Sequence, residues 1–192
     1  PLAGTAVHNT LMVDGQEQMT RAGHFLWLDW AQAEVLGHAV DQEGRLAWIT
    51  AEHDGFRSLG ILHQRKLTAI ENGWLVTDRI LPFGQPDQHI HQVQLTWNLP
   101  DWNWRFEAED TLHLAGSNLG LTLKIIGVGQ LNLVRAGETL HGTITAEPTW
   151  GWGSPTYLVK APALMLIGVM SGRLPIEITS TWLFNQPLPT AT

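Results

Sequence analysis

Apolar and polar residues alternate along most of this chain with the period of two that sends successive side chains to opposite faces of a β-strand. The first such run covers residues 6–16, with Val7, Asn9, Leu11 and Val13 on one side, His8, Thr10 and Met12 on the other, and Asp14-Gly15 as the closing turn. Residues 25–30, 33–40 and 45–53 read as further strands, separated by turn residues at 41–44 and ended by Asp54-Gly55. The clearest signal is the pair of runs 61–71 and 74–81 around Asn72-Gly73, a dipeptide that suits a two-residue hairpin because both residues accept positive φ. A Pro/Gly loop at 82–87 precedes strands expected at 89–99, 104–114, 119–128, 130–135, 139–146, 157–160, 163–170 and 176–184. No stretch sustains a 3.6-residue period, and residues 31–36 would form one helical turn at most. Turn residues every eight to twelve positions predict an all-β antiparallel β-sandwich of about 11–14 strands with little or no helix. Residues 1–184 form the expected domain, and the Pro/Thr-containing segment 185–192 reads as a fraying tail.

The length of 192 residues suits one domain with a core of its own. Eleven Lys and Arg against 18 Asp and Glu give a net charge of -7, which removes the electrostatic footprint expected for nucleic acid or an anionic membrane surface. The longest apolar run, 161–170, is half of the roughly 20 residues that a membrane helix needs. With no cysteine, disulfides, thiolate metal sites and a Cys nucleophile are excluded, though the compartment is left open. Ten Trp against one Tyr fit sugar-stacking surfaces and sandwich cores equally well. The first residues lack a basic region followed by an apolar run, and the chain starts with Pro, so a fragment or processed product is expected.

Phosphate-binding glycine loops, a Gly-x-Ser-x-Gly elbow and a His-Glu-x-x-His helix are all missing, and Gly127-Val128-Gly129 reads as a turn. The nine histidines carry the remaining chemistry. His89-Ile90-His91 places two imidazoles on one strand face, a spacing that chelates a metal or simply faces solvent. Asp29 lies between Leu28 and Trp30 on the opposite strand face. If buried it requires a cation or several donors, with His53 or an arginine as candidates; otherwise it is a surface residue or half of a salt bridge. His8 and Asn9 sit on a run that needs neither of them to form a strand, so His8 is either satisfied by a backbone carbonyl or chemically employed.

The segment 6–18, Ala-Val-His-Asn-Thr-Leu-Met-Val-Asp-Gly-Gln-Glu-Gln, resembles the opening of the C-terminal β-sheet domain of the heparinase II/III-like polysaccharide lyases. The resemblance continues in Gly23-His24-Phe25-Leu26-Trp27, Ala51-Glu52-His53-Asp54-Gly55-Phe56 and His63-Gln64-Arg65-Lys66-Leu67. It extends to Asp78-Arg79-Ile80-Leu81, Gly153-Ser154-Pro155-Thr156-Tyr157 and Leu174-Pro175. In that family an N-terminal α/α-toroid packs against the β-domain, and the cleft between them cleaves acidic polysaccharide by β-elimination. That reaction needs a neutralised uronate carboxylate, a base for the C5 proton and an acid for the leaving oxygen, with no cofactor required. The resemblance therefore implies that His8 is the catalytic residue given to the cleft, binding the carboxylate or sharing in proton transfer. Strand alternation turns Asn9 away from it.

Some relatives hold a structural zinc in this domain, and the resemblance places its ligands on Asp29 and His53. The first ligand position falls on Thr10, a poor zinc ligand. The toroid, expected upstream, has no counterpart in these residues, and Tyr157 lies outside the motif expected for an acid/base tyrosine. The resemblance thus implies an acidic-polysaccharide partner, a toroid partner, and a periplasmic or secreted parent lyase of which this chain alone is inactive. A non-catalytic glycan-binding or scaffolding β-sandwich is the alternative.

Overall fold

The computed structural model describes residues 3–23, 26–84, 88–156 and 158–185. His24, Phe25, Tyr157 and most of the expected tail lie outside them. In chain order the strands are β1 (Leu11–Val13), β2 (Thr20–Arg21), β3 (Trp27–Leu28), β4 (Ala33–Val40), β5 (Leu46–Phe56) and β6 (Ile61–Ile70). They continue as β7 (Gly73–Pro82), β8 (His91–Leu99), β9 (Asn103–Ala108), β10 (Thr111–Ala115), β11 (Gly120–Ile126) and β12 (Leu131–Arg135). The last are β13 (Glu138–His141), β14 (Trp152–Gly153), β15 (Ala161–Pro162), β16 (Leu164–Gly172) and β17 (Ile176–Asn185). Among the described residues, helix is confined to the 3-10 turns Thr5–Val7 and Arg57–Leu59.

Two antiparallel sheets make the sandwich: a five-stranded one in the order β1-β8-β16-β12-β13 and an eight-stranded one in the order β4-β5-β6-β7-β17-β11-β10-β9. The all-β expectation therefore holds. Alternation explains the layers. Val93, Leu95, Trp97 and Leu99 of β8 point inward against Val76 and Ile80 of β7, Leu121, Leu123 and Ile125 of β11, and Ile176 and Ile178 of β17. Burying each such aliphatic side chain contributes about 1.5–3 kcal/mol relative to exposure. The run 163–170 does not alternate because β16 is covered on both faces. Met165 and Ile167 pack with Val134 and Trp150 in a second cluster outside the five-stranded sheet, under Val7, Ile144 and Ala146.

The hairpin forms as expected, but its turn is shifted by one residue. Ile70 pairs with Gly73, so the loop is Glu71-Asn72, and of the two only Asn72 has positive φ, 57°. Glycine stands at 73 for space: a Cβ there would overlap the carbonyl oxygen of Trp182 on the neighbouring strand. The run expected as one strand at 104–114 is instead the hairpin β9–β10. Residues 157–160 contain no strand among those described, and the expected strand at 25–30 shrinks to β3.

Candidate functional site

Residues 6–10 do not continue β1 as alternation suggested. The amide of His8 donates to Thr5 O at 3.1 Å, and that of Thr10 donates to His8 O at 2.8 Å, so the chain satisfies itself locally. The Thr96 amide still reaches Thr10 O at 3.0 Å, but the next ladder amide, Asn98 N–H, is taken at 2.7 Å by the side-chain Oδ1 of Asn9. A side chain has replaced a backbone acceptor, and regular β1 pairing stops short of residues 7–9, which stay tied to β8 through side chains. His8 stands exposed on this segment, with Nδ1 at 2.7 Å from Gly4 O. A carbonyl only accepts, so Nδ1 carries the proton and Nε2 is left as the basic nitrogen. Nε2 has no partner among the described residues, and His8 lines an open cavity of about 250 Å³ together with Thr10, Glu17, Gln18, Met19 and Trp27.

Beneath this segment, strand pairing assembles a buried polar network. Hairpin register sets Arg65 opposite Asp78 and His63 opposite Ile80, with all the inward positions of β6 and β7 on one face. Asp78 is fully buried; Arg65 holds it with Nε on Oδ1 at 2.7 Å and Nη2 on Oδ2 at 3.1 Å, and His63 Nε2 reaches Oδ1 at 2.6 Å. His53 pairs with His63 across β5 and β6, its Nε2 at 2.9 Å from His63 Nδ1, while its own Nδ1 accepts Gly55 N–H at 3.1 Å. The donors can run in one direction only: Gly55 N–H to His53, His53 Nε2–H to His63, His63 Nε2–H to Asp78. Burial of His53, reinforced by the electrostatic influence of the adjacent His63 and the Arg65 guanidinium, pushes its pKa down to about 4. Burial pushes the Asp78 carboxyl up, but the His63 hydrogen bond and the Arg65 charge outweigh it and hold the group below the ordinary carboxylate range.

The residues suggested for zinc do not fit a metal as they are arranged. Both ring nitrogens of His53 are engaged, and Thr10 Oγ1 accepts a hydrogen bond from Gln18 Nε2 at 3.0 Å. Asp29 sits exposed in a bend at φ 58°, with no hydrogen-bond or ion-pair partner among the described residues. Nor do three metal-ligating side chains cluster anywhere among those residues. Likewise His89 and His91 do not share a strand face: β8 begins at His91, which is buried with Nδ1 at 2.7 Å from Asp14 Oδ2.

Among the described residues the buried carboxylate is thus Asp78 rather than Asp29. Its network with His63 and Arg65 was not among the candidate site residues. Counting back from the hairpin turn would have found it, since the inward faces Ile61, His63, Arg65, Leu67 and Trp74, Val76, Asp78, Ile80 place three ionisable groups among apolar ones.

The family model "Heparinase II/III-like, C-terminal" matches residues 2–177. Among solved structures, a heparinase III with methylated lysines superposes with a TM-score of 0.68 at 13% identity, over 98% of this chain and 25% of its own. The heparan sulfate lyase HepC from Pedobacter heparinus gives 0.64 at 14% identity, again over 98% of this chain and 25% of the other. At such identities the likeness shows a shared fold, and the chain spans about a quarter of those proteins' length. No curated protein matches the sequence. Alternating pattern, two-sheet sandwich and family match agree, and the chain belongs to the heparinase II/III-like C-terminal domain family.

Proposed function

We propose that this domain forms one wall of the cleft of a polysaccharide lyase that acts on a uronate-containing acidic glycan by β-elimination, and that His8 is its catalytic contribution. The observation that carries this reading is the state of His8: an exposed imidazole lining a cavity, anchored through Nδ1 to a backbone carbonyl, with Nε2 unpartnered among the described residues. Such an imidazole serves in either of two ways. Protonated, it pairs with the uronate carboxylate and lowers the barrier to carbanion formation; neutral, Nε2 takes or relays a proton. Arg65 is committed to Asp78, so its charge is not at the glycan's disposal. The remaining acid and base belong to a toroid domain upstream, without which the chain is inactive. Zinc has no place in these steps.

One observation favours the scaffolding alternative. The Glu17 carboxylate lines the same cavity as His8 and disfavours an anionic sugar there. The two readings part on one assay: full-length protein incubated with heparan sulfate and with alginate, followed by the ultraviolet absorbance of unsaturated uronate products. Product formation supports the lyase; a folded protein inert on both supports the scaffold.

A further inference from the structure

The backbone on each side of His8 is held from a different sheet. Asn98 Nδ2, on β8 of the five-stranded sheet, donates to Val7 O at 2.8 Å; Arg65 Nη1, on β6 of the eight-stranded sheet, donates to Asn9 O at 2.7 Å. The Arg65 guanidinium has little freedom. It lies over the Trp97 ring at 4.9 Å from the centroid and is gripped by both oxygens of Asp78, which His63 and then His53 back in turn. Asn98 also carries a cost: its Oδ1 is buried with no hydrogen-bond partner, where an apolar side chain would pay no such penalty. An amide placed there at that cost, donating to the carbonyl next to His8, matches a demand for position rather than for core packing.

We propose that Arg65 and Asn98 are positioning residues that clamp Val7 and Asn9 and so fix the direction of the His8 imidazole, with Asp78 and His63 orienting Arg65. The inference rests on the lyase reading above, because it gives the clamp its purpose. Lysine at 65 keeps the charge but not the planar fork, so it cannot grip Asp78 at two points and reach Asn9 as well. A misplacement of the imidazole lowers the chemical step while leaving glycan binding elsewhere in the cleft intact.

The test uses full-length protein with Arg65→Lys, Asn98→Ala and His8→Ala, reading kcat and KM on heparan sulfate and amide hydrogen exchange over residues 5–12. The expected result for Arg65→Lys and for Asn98→Ala is a loss in kcat of about tenfold or more with KM within about twofold, together with faster exchange confined to residues 5–12. If Arg65→Lys fails to fold, Asn98→Ala decides alone. A folded variant with unchanged kcat, in a protein that His8→Ala inactivates, overturns the clamp and leaves the lyase reading standing. A fall in kcat without faster exchange at 5–12 also overturns it. Full turnover in His8→Ala overturns the catalytic role given to His8, and the clamp's catalytic purpose with it, while a folded wild-type protein inert on the glycan sinks the lyase reading itself.

Discussion

Arg65 and Asp78 face each other across β6 and β7, and the guanidinium closes on both carboxylate oxygens, Nε to Oδ1 at 2.7 Å and Nη2 to Oδ2 at 3.1 Å. The carboxylate is wholly buried, so its charge is tolerated only with this partner and the His63 hydrogen bond.

Removing one partner of a buried pair leaves the other charge uncompensated. Asp78→Asn is therefore expected to cost about 3–5 kcal/mol in urea unfolding. The exposed pair Arg79–Glu177 supplies the contrast, since Glu177→Gln should change stability by about 0.5 kcal/mol or less. Similar small effects for both substitutions would contradict the burial argument.

His53 links this network to pH. Its pKa is 6.5 unfolded and about 4 in the fold, so the unfolded chain takes up a proton first as pH falls. Its contribution is complete above pH 6.5, is lost as pH drops through the window from 6.5 to 4, and then levels off, a total of about 3 kcal/mol. Below that window the depressed Asp78 carboxyl takes over: its contribution is present above its unfolded pKa and is lost as pH falls through the folded one. Urea midpoints measured against pH should show the first decline in the native protein and lose it in His53→Gln, which still offers His63 a donor. A decline of equal size in the variant would assign it to other groups.

Much of this architecture could be read from turn chemistry. Asp14-Gly15, Asn72 and the glycine-bearing turn at 41–44 all punctuate strands where expected, and the runs at 61–71, 74–81, 89–99 and 176–184 correspond to β6, β7, β8 and β17. The pattern failed where the physics lies outside local sequence. Glu109 and Asp110 turn the chain between β9 and β10 without glycine or proline to mark it. At Asn9 a side chain captures a ladder amide from β8, a long-range event that alternation cannot encode, so His8 was expected on a strand and instead stands off it. His8 itself was legible only as part of a motif. The Asp78 network required register as well as pattern, because its members are 15 and 13 positions apart in the chain.

Glycines 73 and 15 separate two reasons for glycine. Gly15 has φ 68° with open space around it, whereas a side chain at 73 would collide with Trp182 O. Gly15→Ala should cost about 1–2 kcal/mol for the left-handed backbone, and Gly73→Ala should cost more and impair folding. Thermal melts of the two variants check the order, which the reverse ranking would refute.

Because both nitrogens of His53 are engaged and Asp29 stands apart, added zinc should not raise the melting temperature, nor a chelator lower it. A clear upward shift at micromolar zinc would mean that the ligands rearrange to close a site.

The central claim is that His8 does chemistry in a lyase cleft, and turnover of His8→Ala in the full-length protein on heparan sulfate measures it most directly. The expected result is a folded protein whose formation of unsaturated uronate product falls about 10²-fold or more, in the range typical of a lost acid/base group. Undiminished product formation by a folded His8→Ala protein would contradict it.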